Sequence, residues 1–579
     1  MNLEAIDVCL TERNLKNPQL DVLKPDANFY DALLLQPKGE IEAIDRYIKG
    51  SSDAYEEKFQ KFIGISTRKN VKLAITPEYS CPWSLIERTI SEDLFPSENS
   101  LWVLGCQSIT KDDLRNIPKN STVEVIFEKD VLNSTGNFLD PVCYLFKTRD
   151  NSNKLRRVLL IQFKTIPMGN LQNFLERSNI IFGSKVYVLR NDTNSINLAT
   201  FICSDLLDFN ESIFDDYVYL PCVFIHLQLT DNPRHQDIRE YRSCFFKKKA
   251  GNKEVICLNW AKGTKITTAR EISFSGSALY VKTDELHQSD DIVNRNHMRG
   301  LYYTYWSNKY SHNYYLNCCE GIYYFSSTKV CQRLSSPSRS KRTGPEAREV
   351  YGWNNNSNNW VSLNPDDGLT GLCHELGCNV PSLINKDLSP LDKERLLTLS
   401  CGKISSTRDG KSNWHDLKQL DFFKVADSEI IKRITFAHDD TREAEEHRSK
   451  VVVRFSELDR TVIRNPSNFP DCIKDLRDNS HIGFFSGEST IKYNCNLFPV
   501  NGGSRNAPAT VAFLGTTTEK IARKMFDLIA SWMEEYLVKR LVIWYRRDDG
   551  KIYSEYKYKD RKPKAEDVYM PRNSINRKE

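Results

Sequence analysis

The chain has 579 residues, 40% of them hydrophobic and 11% aromatic, with 81 basic side chains against 76 acidic ones and a net charge of +5. This length exceeds one ordinary domain, and the apolar content supports a sizeable core, so a disordered chain is excluded and about two to four domains are expected. The near-balanced charge does not mark a nucleic-acid binder, and there is no run of the roughly 18 apolar residues that a membrane helix needs.

Residues 1–7 have neither a basic region nor an apolar stretch after it. No signal peptide is expected, and the expected location is the cytoplasm. Residues 32–37 form a strand-like run ending at Pro37, followed by a charged, helix-favouring stretch over 52–62. Residues 71–77 are a second apolar strand, which delivers Glu78, and residues 101–106 are a third. Residues 123–127, 142–146 and 158–163 read as successive strands, the last delivering Lys164. Residues 199–202 deliver Cys203, with Ser204 and Asp205 behind it, and residues 223–227, 255–259 and 277–281 complete the series. Strands alternating with helices, then strands in succession, predict a layered α/β domain over residues 1–330. Runs apolar on both faces suit strands covered on both sides.

Residues 331–365 read as a linker, with the polar, basic segment from Ser335 to Arg342 and the asparagine-rich segment from Asn354 to Asn359. Residues 366–579 are expected to form a smaller α+β region. Within it, a strand over 509–514, a helix over 518–536 and a strand over 541–545 make a β-α-β-like unit. Ile521, Met525, Leu528, Ile529 and Trp532 fall on one face of that helix.

Most of the 16 cysteines sit singly in apolar runs, as Cys106, Cys143, Cys222 and Cys257 do, and read as small buried hydrophobes. Cys203 differs by its company. It stands at a strand end, as do Glu78 and Lys164. Together they are a workable set for acyl transfer. A thiolate attacks, a carboxylate takes the thiol proton, and a lysine cation stabilises the oxyanion.

At these positions the chain resembles the nitrilase, or carbon–nitrogen hydrolase, superfamily over about residues 25–330. Thr76-Pro77-Glu78-Tyr79 is similar to its Pro-Glu motif, Phe163-Lys164-Thr165-Ile166-Pro167 to its strand-lysine segment, and Phe201-Ile202-Cys203-Ser204-Asp205 to its nucleophile elbow. Leu258-Asn259-Trp260-Ala261-Lys262-Gly263 and Phe274-Ser275-Gly276-Ser277-Ala278 resemble two downstream segments. The resemblance implies an αββα four-layer sandwich and catalysis by Glu78, Lys164 and Cys203. It implies a second glutamate at Glu176, an oxyanion donor at the Ser204 backbone N–H, a small-molecule substrate and no cofactor or metal. It also implies homo-oligomer contacts through the domain's end. The chain departs from the family pattern at Ser204, at residues 206–209, at Ile166 and around Arg242-Ser243, so an unfamiliar substrate is expected.

Other features have plainer readings. Cys373, His374 and Cys378, with Cys401, lack paired zinc-knuckle spacing and are taken as core and surface residues. The vicinal Cys318-Cys319 and the aromatics of residues 302–306 and 323–325 are read as packing or an interface, with base stacking as the open alternative. The basic runs 247–249 and 339–342 are solvated surface or, less commonly, phosphate contacts. Two functional readings are carried. One is a cysteine-dependent hydrolase of an amide, ureido or nitrile bond. The other is a degenerate scaffold that binds a ligand or partner, by analogy in a prokaryotic antiviral defence setting.

Overall fold

The apolar runs pair into two large sheets. One has nine strands, in the order Asn359–Ser362, Glu346–Asn354, Gly321–Thr328, Phe29–Gln36, β1 (Leu73–Cys81), β2 (Leu101–Cys106), β3 (Pro141–Arg149), β4 (Leu155–Phe163) and Val123–Phe127. The other has eight, in the order Asn2–Ala5, Lys185–Arg190, β5 (Asn197–Ile202), β6 (Cys222–Leu227), β7 (Lys253–Leu258), Ala278–Thr283, Tyr310–Leu316 and Gly300–Trp306. The structure is a computed structural model. It describes residues 1–24, 29–50, 53–168, 175–191, 193, 195–208, 221–233, 236–238, 240, 253–267, 270–283, 290–306, 310–328, 344–378, 380, 388–402, 433–436, 441–478, 480–484, 494–500, 507–531, 533–547 and 553–558.

β5, β6 and β7 pair in parallel and are buried along their whole length. That is why their sequences run apolar without alternation. The two sheets pack face to face. Leu34, Ile75, Val103, Tyr144 and Leu160 from the first share one core with Val188, Leu198, Ile225, Val255 and Leu279 from the second. Buried polar contacts fasten the layers, among them the Tyr30 hydroxyl on Glu254 Oε1 at 2.6 Å and the Gln162 amide. Gln162 on β4 donates to the Thr200 carbonyl of β5 at 2.9 Å and accepts from Tyr144 and from the Tyr187 N–H, each at 3.0 Å.

The other face of the nine-stranded sheet, with Leu33, Ala74, Trp102, Cys143 and Leu159, is covered by Tyr55, Phe59 and Phe62 of α1 (Asp53–Arg68). Leu85 and Ile86 of α2 (Trp83–Ser91) complete the cover. The described layers are therefore helix, sheet, sheet. Residues 209–220 and 241–252, in the connections after β5 and β6, lie outside the described residues, and so do the predicted features at Arg242-Ser243, 247–249 and 335–342.

Two sequence expectations shift. β1 does not end at Pro77 but runs through Glu78 to Cys81, because its pairing with β2 is broken by an irregularity between Thr76 and Cys81. Gly105 on β2 makes room for it, since a Cβ there would stand 2.2 Å from the Pro77 carbonyl oxygen. Residues 346–354 and 359–362, inside the stretch read as a linker, form an antiparallel hairpin that extends the nine-stranded sheet. The asparagine run is its exposed turn, with Asn358 at φ 43°.

Beyond it, Thr510–Thr516 and Leu541–Arg546 pair in parallel around the helix Glu519–Ala530, and Tyr553–Lys557 adds an antiparallel third strand. The helix stops earlier than expected and buries Ala522, Phe526 and Ile529 while Ile521 is exposed. Trp532 lies outside the described residues. Cys373 and Cys401 belong to the core of this region. No described helix is long and apolar enough to cross a membrane.

Candidate active site

Three strands and one short helix bring the predicted residues together. Glu78 lies on β1, Lys164 directly follows β4, Cys203 directly follows β5, and Glu176 is on α3 (Leu175–Asn179). Asp140 directly precedes β3. The antiparallel register of β3 on β4 pairs Pro141 with Phe163, so Asp140 faces Lys164, whose N–H donates to the Asp140 carbonyl at 3.0 Å.

The Lys164 ammonium, fully buried, is the hub. It donates to Glu78 Oε1 at 2.7 Å and to both oxygens of Glu176 at 2.8 Å, and stands 3.8 Å from Asp140 Oδ2. Burial alone would lower the lysine's affinity for its proton, but Glu176 and then Glu78 hold it well above its ordinary value. Glu176 also accepts the Tyr79 hydroxyl at 2.9 Å and the Met168 N–H at 2.7 Å. Glu78 is 1% exposed. Burial pushes its carboxyl up to about 7, with the Lys164 charge opposing and the Glu176 charge adding. That places it where a general base works best near neutrality. Oxygens of Glu78, Asp140 and Glu176 lie within 4.8 Å of one another, a cage of the kind that holds a cation. Here the Lys164 ammonium sits among them.

Cys203 opens a tight turn, Cys203–Asp208, with its own backbone at φ 42°. A β-carbon residue rarely adopts that conformation, and it is one way a strand end presents a nucleophile. The turn is held from three sides. Asp205 Oδ1 accepts the Thr165 N–H and hydroxyl at 2.8 Å and the Ile166 N–H at 3.1 Å, and Asp205 Oδ2 accepts the Ile202 N–H at 3.1 Å. The Ser204 hydroxyl donates to the Ile166 carbonyl at 2.7 Å. His226 Nε2 lies 3.1 Å from the Cys203 carbonyl oxygen. Burial pushes the Cys203 thiol up, as does the Glu78 charge, while Lys164 and the Leu229 N–H favour the thiolate.

Glu78, Lys164 and Glu176 are thus in direct contact. Cys203 is close enough to feel all three charges, but no hydrogen bond joins its sulfur to them among the described residues. Asp140, His226 and the clamping role of Asp205 escape sequence reasoning. Asp140 reads as an ordinary Asp-Pro turn, yet the hairpin register alone would have set it opposite Lys164. The two downstream segments are structural. The Trp260 indole donates to the Glu78 carbonyl at 2.8 Å. Asn259 bridges the Thr230 N–H and carbonyl and the Ser275 carbonyl. Of the aromatics read as packing, Tyr302, Tyr323 and Phe325 are in the core. Cys318 and Cys319 instead occupy a turn, with Cys319 exposed.

No protein-family model matches the chain, and no curated protein matches it. Among solved structures, it is similar to a CN-hydrolase superfamily protein of Xanthomonas campestris with an arsenic adduct in the active site. The identity is 9%, over 44% of this chain and 83% of that one, with a TM-score of 0.27. The likeness is distant, and the site stands on its own geometry.

Proposed function

We propose that the first half of the chain is a carbon–nitrogen hydrolase domain of the nitrilase type, with an αββα sandwich, acting on a small amide, ureido or nitrile compound. The observation that carries this reading is the fully buried Lys164 held between Glu78 and Glu176, beside a cysteine kept at positive φ.

Cys203 Sγ attacks the substrate carbon. Glu78 takes the thiol proton and passes it to the leaving ammonia or amine. Lys164 and the Ser204 N–H hold the oxygen or nitrogen on which negative charge builds. An amide substrate leaves a thioester on Cys203 and a ureido substrate a thiocarbamate. Water, deprotonated by Glu78, then releases the acid and restores the thiol. Catalytic contacts that are long in the unliganded protein tighten when substrate arrives, which suits the gap between Cys203 and Glu78. Glu176 keeps Lys164 charged and in place.

The test is ammonia release from a panel of small amides, ureides and nitriles, run beside labelling with iodoacetamide. Turnover lost in Cys203→Ala and in Glu78→Gln, with preferential labelling of Cys203, is the expected outcome. Turnover unchanged in Cys203→Ala would sink the reading. The burial that pushes the Cys203 thiol up favours a second reading, a binding scaffold, which predicts an unlabelled Cys203 and no turnover.

A further inference from the structure

The mechanism above gives Asp140 no task. Its side chain is fully buried, and among the described residues neither carboxyl oxygen meets a hydrogen-bond donor. The same is true of Glu78 Oε2, while Glu78 Oε1 is taken by Lys164. Glu176, by contrast, accepts from Lys164, Tyr79 and Met168, and its charge offsets that of Lys164. What is left is Glu78 beside Asp140, two carboxyls away from water with oxygens within 4.8 Å. The groups facing this pair are Lys164 after β4, Glu176 on α3, Tyr79 on β1, Cys106 at the end of β2 and Cys203 after β5. Among the described residues Lys164 is the one cation facing them, and Glu176 already matches it. Two ionised carboxylates so placed repel each other and leave bare lone pairs. One proton between them removes a charge and makes an O–H···O bond.

We propose that Asp140 is a positioning residue which, as the neutral acid, donates a hydrogen bond to Glu78 Oε2 and keeps Glu78 the free base beside Cys203. Two bare, buried carboxyls with oxygens within 4.8 Å call for such a bond, and its catalytic consequence rests on the hydrolase reading. Burial, and next the Glu78 charge, hold Asp140 protonated well above the usual carboxylate range. Protons balance through the cycle. When Glu78 takes the thiol proton, Asp140 keeps its own and the pair is neutral. When the leaving amine takes one, the pair again holds one proton and one negative charge.

The test compares the full chain with Asp140→Asn and Asp140→Ala. The first readout is infrared absorption. A protonated carboxylic acid has a C=O stretch apart from carboxylate bands, and it moves in deuterium oxide. At pH 9, above the range in which Glu78 titrates, the wild type shows this band and Asp140→Asn lacks it. The second is the pH profile of Cys203 alkylation by iodoacetamide, followed on the Cys203 peptide by mass spectrometry. Asp140→Ala slows alkylation at pH 7 by about tenfold or more, the scale of a mispositioned base. Asp140→Asn, whose amide still donates to Oε2 but cannot ionise, recovers most of that loss and lacks the wild type's upper inflection. The same band in the wild type and Asp140→Asn, or wild-type alkylation profiles in both variants, overturns the proposal. Where Asp140→Ala does not fold, the Asp140→Asn arm decides. A band lost in Asp140→Asn with Cys203 inert throughout supports the Asp140–Glu78 bond and overturns the hydrolase reading instead.

Discussion

Asp205 accepts both the backbone N–H and the hydroxyl of Thr165 at 2.8 Å, so the residue two places past Cys203 is tied to the residue one place past Lys164. The Cys203 turn belongs to one sheet and the lysine to the other. The buried Asp205 carboxylate, together with the Ser204 hydroxyl on the Ile166 carbonyl, therefore sets their relative position and helps keep Cys203 at φ 42°, a conformation that persists only when its surroundings over-determine it.

Removing that carboxylate should be costly. Asp205→Ala strands the buried Ile202 N–H, which costs about 1–3 kcal/mol when unsatisfied, and at half-buried positions it strands two more N–H groups and a hydroxyl. A loss of about 3 kcal/mol or more in urea unfolding is expected, with slowed alkylation of Cys203. Asp205→Asn keeps acceptor capacity and should lose less. Wild-type stability in Asp205→Ala would show that the turn is held by something else.

Gly105→Ala tests how Glu78 is placed. The added carbon would stand 2.2 Å from the Pro77 carbonyl oxygen and 2.6 Å from its carbon, and both are backbone atoms that cannot rotate away. The strand must shift where it delivers Glu78. A destabilisation of about 1–3 kcal/mol or more follows from overpacking, together with a drop in Cys203 reactivity. A variant with wild-type melting temperature and labelling would show that the broken pairing is not needed.

Stability should move with pH through Glu78. Its carboxyl in the fold titrates at about 7 against an ordinary value of 4.5, because burial penalises the anion. Between those values the folded chain binds more protons than the unfolded one, so this group lowers stability as pH rises from 4.5 to 7. Glu78→Gln removes the effect. Relative to the wild type, the variant should gain stability from pH 5 to pH 8, by on the order of 1–3 kcal/mol, while losing turnover. Melting temperatures of both proteins across that range check it, and a gain that shrinks with rising pH would contradict the burial argument.

The sequence exposes the site unevenly, and the reasons are physical. Glu78, Lys164 and Cys203 stand out because each ends an apolar run that must be a buried strand. Glu176 comes only from the family resemblance, since nothing in a short polar stretch says that it turns inward. Asp140 hides because Asp-Pro reads as a surface turn. Yet β3 and β4 pair symmetrically about their connecting turn, with Arg149 opposite Leu155 and Pro141 opposite Phe163, and continuing that register one step sets Asp140 against Lys164. The hairpin at 346–362 reads as a linker in the sequence because an exposed β-turn and a flexible connector draw on the same polar residues. On the C-terminal helix, period alone favours the larger Ile521, whereas the face that packs is built around Phe526 with small Ala522 beside it.

The charge balance at the centre gives the strictest test. Lys164→Met leaves Glu176 and Glu78 buried without their cation, and breaking a buried pair from one side costs about 3–5 kcal/mol. Glu176→Gln alone should cost less, because Lys164 keeps Glu78 at 2.7 Å. In Lys164→Met/Glu176→Gln one of the two anions stranded by the first change is gone, so the double variant should be more stable than the sum of the singles by about 0.5–3 kcal/mol. Denaturant midpoints of the four proteins give this coupling directly. Additive losses would mean that Glu176 is not the counter-ion of Lys164, and the charge count that assigns a shared proton to Glu78 and Asp140 would fall with it.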